Sequence, residues 1–242
     1  MQSTEVHKAI NAADVADQAS HVFIDEVVEL QSKQDLVHVA LTGGTVGILT
    51  LKHIASHPRL NEIDFARLHF WFGDERYVAS DSPDRNAQQA REALLSHIKV
   101  NALNIHEFPS TDTNLSVQEA AAAFERELVE WFDDSPKMDL MLLGMGPDGH
   151  VASLFPGHSY PDTLIVSESN SPKPPPERLS MSMRMINTSK RIVFVVSGLD
   201  KAEVIEQIHK TDDCELPAAR VEAQGQTLWI IDEPAGAAFW SC

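Results

Sequence analysis

Met138-Asp-Leu-Met-Leu-Leu-Gly-Met-Gly-Pro-Asp-Gly-His-Val-Ala-Ser-Leu-Phe-Pro156 is the stretch whose reading decides the fold. An apolar run closes on glycines, and an aspartate and a histidine follow directly. A buried strand delivers polar groups to the open end of a sheet in this way. In open α/β sheets, ligands bind beyond the carboxyl ends of the strands. His150 stands where a catalytic side chain is wanted, and histidine is the side chain whose ordinary titration lies nearest neutral pH.

Working outward, the same pattern recurs. Leu36–Leu41 reads as a strand that turns through Thr42-Gly-Gly-Thr45 into a helix over 46–56, closed by Pro58. Leu68–Phe72 reads as the next strand. It ends in Gly73-Asp-Glu-Arg76 and leads to a helix over 84–97 that Ser82 or Asp84 can cap. Met138–Leu143, Thr163–Ser167, Arg178–Met183, Arg191–Ser197 and Thr227–Ile231 read as further strands. Residues 8–33 carry Ala12, Ala16, Ala19, Phe23, Val27 and Leu30 at near-helical spacing. Residues 115–132, 200–210 and 234–240 also read as helices, and 98–113 as irregular. Strands alternating with helices predict an α/β fold, a mostly parallel sheet with helices on both faces. Neither a repeat nor a linker interrupts it, so a single domain over 1–242 is expected.

Composition narrows the function. The 242 residues are 43% hydrophobic, enough for a sizeable core. No apolar run reaches the roughly 18 residues of a membrane span. The N-terminus lacks a basic-then-apolar leader, so a cytoplasmic protein is expected. Cys214 and Cys242 form neither a disulfide framework nor a metal spacing. The other histidines show no metal-like clustering, so no metal is expected. The net charge of −17 opposes nucleic acid and anionic membranes. It also repels anionic metabolites at long range, so an anion site must be local, built from a few cations and backbone N–H groups.

Four segments can carry chemistry, and each has a plainer reading. The Thr42-Gly43-Gly44-Thr45 turn offers backbone N–H groups and hydroxyls to an anion; the plainer reading is a tight turn with Thr45 as an ordinary cap. Asp74 can act as a base or hold a sugar hydroxyl, and Arg76 can clamp a phosphate; charge runs more often simply face water. Gly144-Met-Gly-Pro-Asp-Gly149 formally matches a dinucleotide turn, with Glu168 as the distal acid. Pro156, Gly157 and Pro161 break the helix that such a turn requires, which disfavours a nicotinamide cofactor. Asp148 beside His150 suits a working base better than a core ring. Arg178, after the Pro-rich 168–176 loop, can close over an anion or lie idle on the surface.

Taken together, Leu-Thr-Gly-Gly-Thr (41–45), Trp-Phe-Gly-Asp-Glu-Arg (71–76), Asp81-Ser-Pro-Asp-Arg-Asn86, residues 142–157, Pro-Pro-Glu-Arg-Leu-Ser (175–180), Ser197-Gly-Leu-Asp-Lys-Ala202 and Leu216-Pro-Ala-Ala-Arg-Val221 resemble the 6-phosphogluconolactonase family. The resemblance covers nearly the whole chain. It implies a Rossmann-like sheet without a nucleotide, similar to glucosamine-6-phosphate deaminase and ribose-5-phosphate isomerase. It further implies cofactor-free and metal-free hydrolysis of 6-phospho-D-glucono-1,5-lactone in the pentose phosphate pathway. The partner implied is this small sugar-phosphate lactone, and the chain a monomer or small homo-oligomer. By the resemblance His150 is the base, and Gly43, Gly44, Thr45, Arg76 and Arg178 serve the phosphate. Either Asp148 or Asp74 can orient His150.

The family's Gly-Gly-Ser-Thr-Pro turn becomes Gly43-Gly-Thr-Val-Gly47 here, shifting phosphate binding toward backbone N–H groups and arginines. Deaminase relatives carry a glutamate five residues after the histidine; Phe155 stands there instead and cannot exchange protons. A sugar-phosphate deaminase or isomerase is therefore disfavoured. A catalytically silent sugar-phosphate sensor is the other alternative, and the retained Asp74, Arg76 and His150 argue against it.

Overall fold

The computed structural model describes residues 2–211 and 213–240. It opens with a strand, β1 (Ser3–Ala9), where the sequence pattern runs the first helix back to residue 8. The Asn11 side chain accepts from the N–H groups of Ala13 and Asp14, at 2.9 and 3.1 Å. That cap starts α1 (Ala12–Gln31) and frees the preceding residues to pair. There follow β2 (Val37–Leu41), α2 (Gly44–Ala55), β3 (Leu68–Phe72), β4 (Asp74–Arg76) and α3 (Asn86–Ala93). Then come α4 (Val117–Trp131), β5 (Leu140–Leu143), β6 (Ile165–Glu168), β7 (Arg178–Met181) and α5 (Met183–Ile186). β8 (Arg191–Val196), α6 (Ala202–Lys210) and β9 (Gln226–Asp232) complete the order. Among the described residues no helix is long and apolar enough to cross a membrane.

Six strands pair in the order β1-β9-β8-β5-β2-β3, every neighbour parallel. Alternation along the strands sends side chains to two covered faces. On one, Arg191 of β8 pairs with Glu26 of α1, and α2 packs against α1. On the other, Phe194 and Trp229 stack at 3.7 Å beneath His209 of α6, and Trp71 meets Phe124 of α4. Helices thus cover both faces of a parallel sheet, the α/β, Rossmann-like arrangement expected.

Two further features depart from the expected pattern. Residues 234–240 make separate turns rather than a helix. Pro234 has no N–H to give, and the Trp240 indole fills the space where a Cβ on Gly236 would lie, 1.9 Å from Nε1. Second, the chain leaves the main sheet at Gly73. β4 pairs antiparallel with β7, and β7 with β6, forming a separate three-stranded sheet. Its register sets Arg76 opposite Arg178.

Three histidines far apart in sequence gather in the core between β2, β3 and α4. His38 and His69 stack at 5.1 Å, and His69 Nδ1 lies 3.1 Å from His106 Nε2. The Trp71 indole N–H donates to His38 Nδ1 at 3.2 Å. Burial first, then the neighbouring histidines, pulls His38 and His69 down to about 4 from the ordinary 6.5; Asp139 opposes this at His38. The folded chain holds both rings neutral, while the unfolded chain protonates them near their ordinary value. Their contribution is complete above about pH 6.5 and is lost as pH falls toward 4. The urea midpoint is expected to drop between about pH 7.5 and pH 5. Identical midpoints would contradict the buried-neutral assignment.

Candidate active site

The loops after β2, β5 and β8 leave the carboxyl end of the main sheet and meet β4 and β7 there. Together they enclose a cleft of about 290 Å³. Gly43, Gly44, Thr45, Asp74, Arg76, His150 and Arg178 all line it. The sequence places most of these residues after strand ends and Arg178 at the start of a strand; the fold brings them to one space.

His150 follows β5 through the turn 144–149. Its Nδ1 lies 2.6 Å from Asp148 Oδ1. A carboxylate only accepts, so Nδ1 carries the proton of this bond, and in the neutral ring Nε2 keeps its lone pair. Burial works against the Asp148 charge, but the imidazole and its hydrogen bonds hold the carboxyl below its ordinary value. Asp148 is therefore the acid bonded to the ring. Asp74 instead accepts from Ser153 Oγ at 2.7 Å and from Asn86 Nδ2 at 3.1 Å.

The pair rests against backbone that has no room for a side chain. A Cβ at Gly146 would stand 2.1 Å from His150 Nδ1 and Cε1. Gly146→Ala is expected to push the ring aside and lower kcat by about 100-fold, with an unchanged circular-dichroism spectrum. Turnover near wild type would show that the ring has slack.

Two arginines line the same cleft. Arg76 Nη1 donates to the Asp84 carbonyl at 2.9 Å and to Asn86 Oδ1 at 2.7 Å, while its buried Nε has no partner among the described residues. Arg178, only 6% exposed, is not the idle surface arginine of the plainer reading. Its guanidinium gathers the Pro-rich loop, donating to the carbonyls of Pro175 at 2.8 Å and Lys173 at 3.0 Å. Burial, then Arg76 nearby, lowers its pKa. Among the described residues neither guanidinium makes a carboxylate ion pair. Two adjacent cations, Arg178 buried and Arg76 half-buried, whose guanidinium groups donate only to neutral oxygens, can receive an anion.

The start of α2 adds its backbone N–H groups. Gly43 is the residue before this helix and Thr45 lies within its first turn, so Thr45 is not the cap. A Cβ on Gly43 would fall 2.0 Å from Asn86 Oδ1, so only glycine lets the turn approach α3. Thr42 Oγ1 accepts from Gly144 N at 3.3 Å and ties the two glycine turns together.

Sequence reasoning assigned no role to Lys173, Lys201, Asn86 or Ser153, which also line the cleft. Lys201 sits just beyond β8, paired with Asp200 at 2.5 Å. Its place after a strand end was the available signal. Asn86 heads α3, but neither Ser82 nor Asp84 caps that helix. Glu75 does so, accepting from the N–H groups of Asn86 and Ala87 at 2.7 and 2.9 Å.

A carboxylate-bonded imidazole and two guanidinium groups thus line one cleft at the carboxyl end of a parallel sheet. The chain matches the family model for glucosamine-6-phosphate isomerases/6-phosphogluconolactonase over residues 10–229. It is 34% identical to 6-phosphogluconolactonase of Streptomyces coelicolor over 91% of this chain and 89% of that one. Identity to the Mycobacterium leprae protein of the same name is 38%, over 82% of this chain and 83% of that one. The crystal structure of 6-phosphogluconolactonase from Thermotoga maritima superposes with a TM-score of 0.83 at 30% identity, covering 95% of this chain and all of that one. The chain belongs to the glucosamine-6-phosphate isomerase/6-phosphogluconolactonase family.

Proposed function

We propose that this protein hydrolyses 6-phospho-D-glucono-1,5-lactone to 6-phosphogluconate, a pentose-phosphate step carried out in the cytoplasm. The observation that carries the reading is the pairing of His150 with Asp148 in one cleft with Arg76 and Arg178, neither of which makes a carboxylate ion pair among the described residues. The substrate phosphate binds the two guanidinium groups and the Gly43–Thr45 turn, with Lys173 and Lys201 adding positive charge. Anchoring at that end holds C1 in register with a water beside His150.

A lactone is an activated ester, so its carbonyl needs little more than a positioned, deprotonating water. His150 Nε2 takes a proton from that water as its oxygen bonds to C1. Negative charge grows on the carbonyl oxygen, where backbone N–H groups of the glycine turns stabilise it. Collapse breaks the bond from C1 to the ring oxygen, and the imidazolium returns its proton to that oxygen. Asp148 stabilises the imidazolium meanwhile; Asp74 holds Ser153 and Asn86 in place.

Phe155 supports hydrolysis over deamination, because it stands where a deaminase has its second proton carrier. The test is a direct lactonase assay at slightly acidic pH, where spontaneous opening is slow, alongside an ammonia assay on glucosamine 6-phosphate. Lactone turnover without ammonia is expected. Ammonia release would overturn the reading, as would 6-phosphogluconate binding with no turnover.

A further inference from the structure

A second polar network lies behind the wall of the cleft and touches no substrate position. Glu168, at the end of β6, is 5% exposed. Its Oε2 accepts from Tyr160 Oη at 2.8 Å and lies 2.7 Å from His158 Nδ1; its Oε1 accepts from Asn170 N at 2.6 Å. Burial disfavours its charge, yet those bonds hold the carboxyl below its ordinary value. Tyr160 Oη in turn accepts the Phe155 N–H at 3.0 Å. Its one proton goes to Glu168, with the Ser153 carbonyl within reach at 3.2 Å.

The backbone that Tyr160 grips is the segment that follows the base. Ala152 there adopts a φ of 49°, a left-handed conformation that L side chains disfavour. The segment therefore has to be held from outside. Ser153 bonds forward, its Oγ to Asp74 and its N–H to Ser180 Oγ at 3.1 Å. Tyr160 holds the back. Between these supports the Phe155 ring lies 4.7 Å from the His150 ring, tilted by 49°. Asp148 orients the imidazole from one side; Phe155 is the ring packed against it.

We propose that Tyr160, gripped by Glu168, is a positioning residue that acts on His150 through Phe155. This rests on His150 being the base, as read above. It gives the Phe155 position a purpose in a site that has no second proton carrier there: the aromatic ring limits imidazole tilt. Removing the hydroxyl frees the Phe155 N–H and lets the ring retreat.

The test is Tyr160→Phe, which keeps the ring and deletes one oxygen. A kcat lower by about 10- to 100-fold is expected, with KM and 6-phosphogluconate binding near wild type. Phe155→Leu should act on the same step, so the double variant should be little worse than the poorer single one. The His150 ring proton resonances, shifted by the Phe155 ring current, should move in Tyr160→Phe toward their positions in Phe155→Leu. Unchanged kcat, multiplying effects in the double variant, or unmoved resonances would overturn the proposal. If Tyr160→Phe does not fold, Glu168→Gln should show a smaller kcat drop of the same kind, and normal turnover there would overturn it. A wild-type protein without lactone turnover would refute the lactonase reading alone; the resonances would still decide this one.

Discussion

His150→Ala is expected to lower kcat for lactone hydrolysis by about 10²–10⁴, the usual range for a lost general base. Binding of 6-phosphogluconate should survive, because Arg76, Arg178 and the Gly43–Thr45 turn do not depend on the imidazole for their bonds. The ring's Nδ1 is committed to Asp148 at 2.6 Å, so the variant removes only the Nε2 base and leaves Asp148 facing solvent. Steady-state kinetics and calorimetry separate the two effects. Asp148→Asn gives a second reading of the same arrangement. An amide that donates to Nδ1 forces the proton onto Nε2, leaving it unable to take one from water. Near-normal turnover in His150→Ala would remove the imidazole from the mechanism.

Much of the candidate site was legible because Asp74, His150 and the glycine turns follow the ends of strands, whereas Arg178 opens one. Periodicity located β2, β3, β5 and β8 to within a few residues, and parallel strands put their carboxyl ends on one edge. Asp74, His150 and the glycine turns had to converge once those strands were aligned. β1 was illegible for the opposite reason. Its run Ser-Thr-Glu-Val-His-Lys-Ala sits at the sheet edge, mostly exposed, and carries no apolar period. What holds it is backbone pairing with β9, more than two hundred residues away in the chain.

The second sheet escaped detection similarly. Nothing local to Asp74–Arg76 announces that it pairs with Arg178–Ser180, yet that register creates the two-guanidinium pocket. Arg178 alone reads as a surface charge; only the partner strand makes it a buried one. The cap on α3 shows the same limit at shorter range. Capping rules inspect residues just before a helix, whereas the acceptor here is Glu75, eleven positions before Asn86 and in another element.

Glu75→Ala is expected to be the most destabilising single change near the site. The side chain is fully buried. Its Oε1 accepts from the N–H groups of Arg76 and Asn86, at 2.8 and 2.7 Å, and its Oε2 from Ala87 N at 2.9 Å. Burial pushes its carboxyl above the ordinary range, while Arg85 and those three N–H groups pull the other way. Arg85 is 1% exposed; its Nε lies 3.7 Å from Glu75 Oε2 and makes no hydrogen bond, while its Nη2 donates to the Phe108 carbonyl at 2.7 Å and lies 3.9 Å from Glu107 Oε2. Alanine would leave that guanidinium with only the partly exposed Glu107 as counter-charge and three backbone N–H groups without their acceptor, and removing one partner of a buried pair typically costs about 3–5 kcal/mol. At roughly 2–4 °C per kcal/mol for a chain of this size, Tm should fall by roughly 6–20 °C. Glu75→Gln should destabilise less, since the amide keeps one acceptor while turning a donor toward a backbone N–H. The loss reaches the chemistry through Asn86, which stands at the start of α3 and bonds both Arg76 and Asp74. Below its lowered Tm, Glu75→Ala should therefore show a raised KM, because Arg76 loses its fixed position. A Tm within about 2 °C of wild type would mean that Glu107 alone suffices for Arg85, and that Glu75 is not what holds the anion pocket in shape.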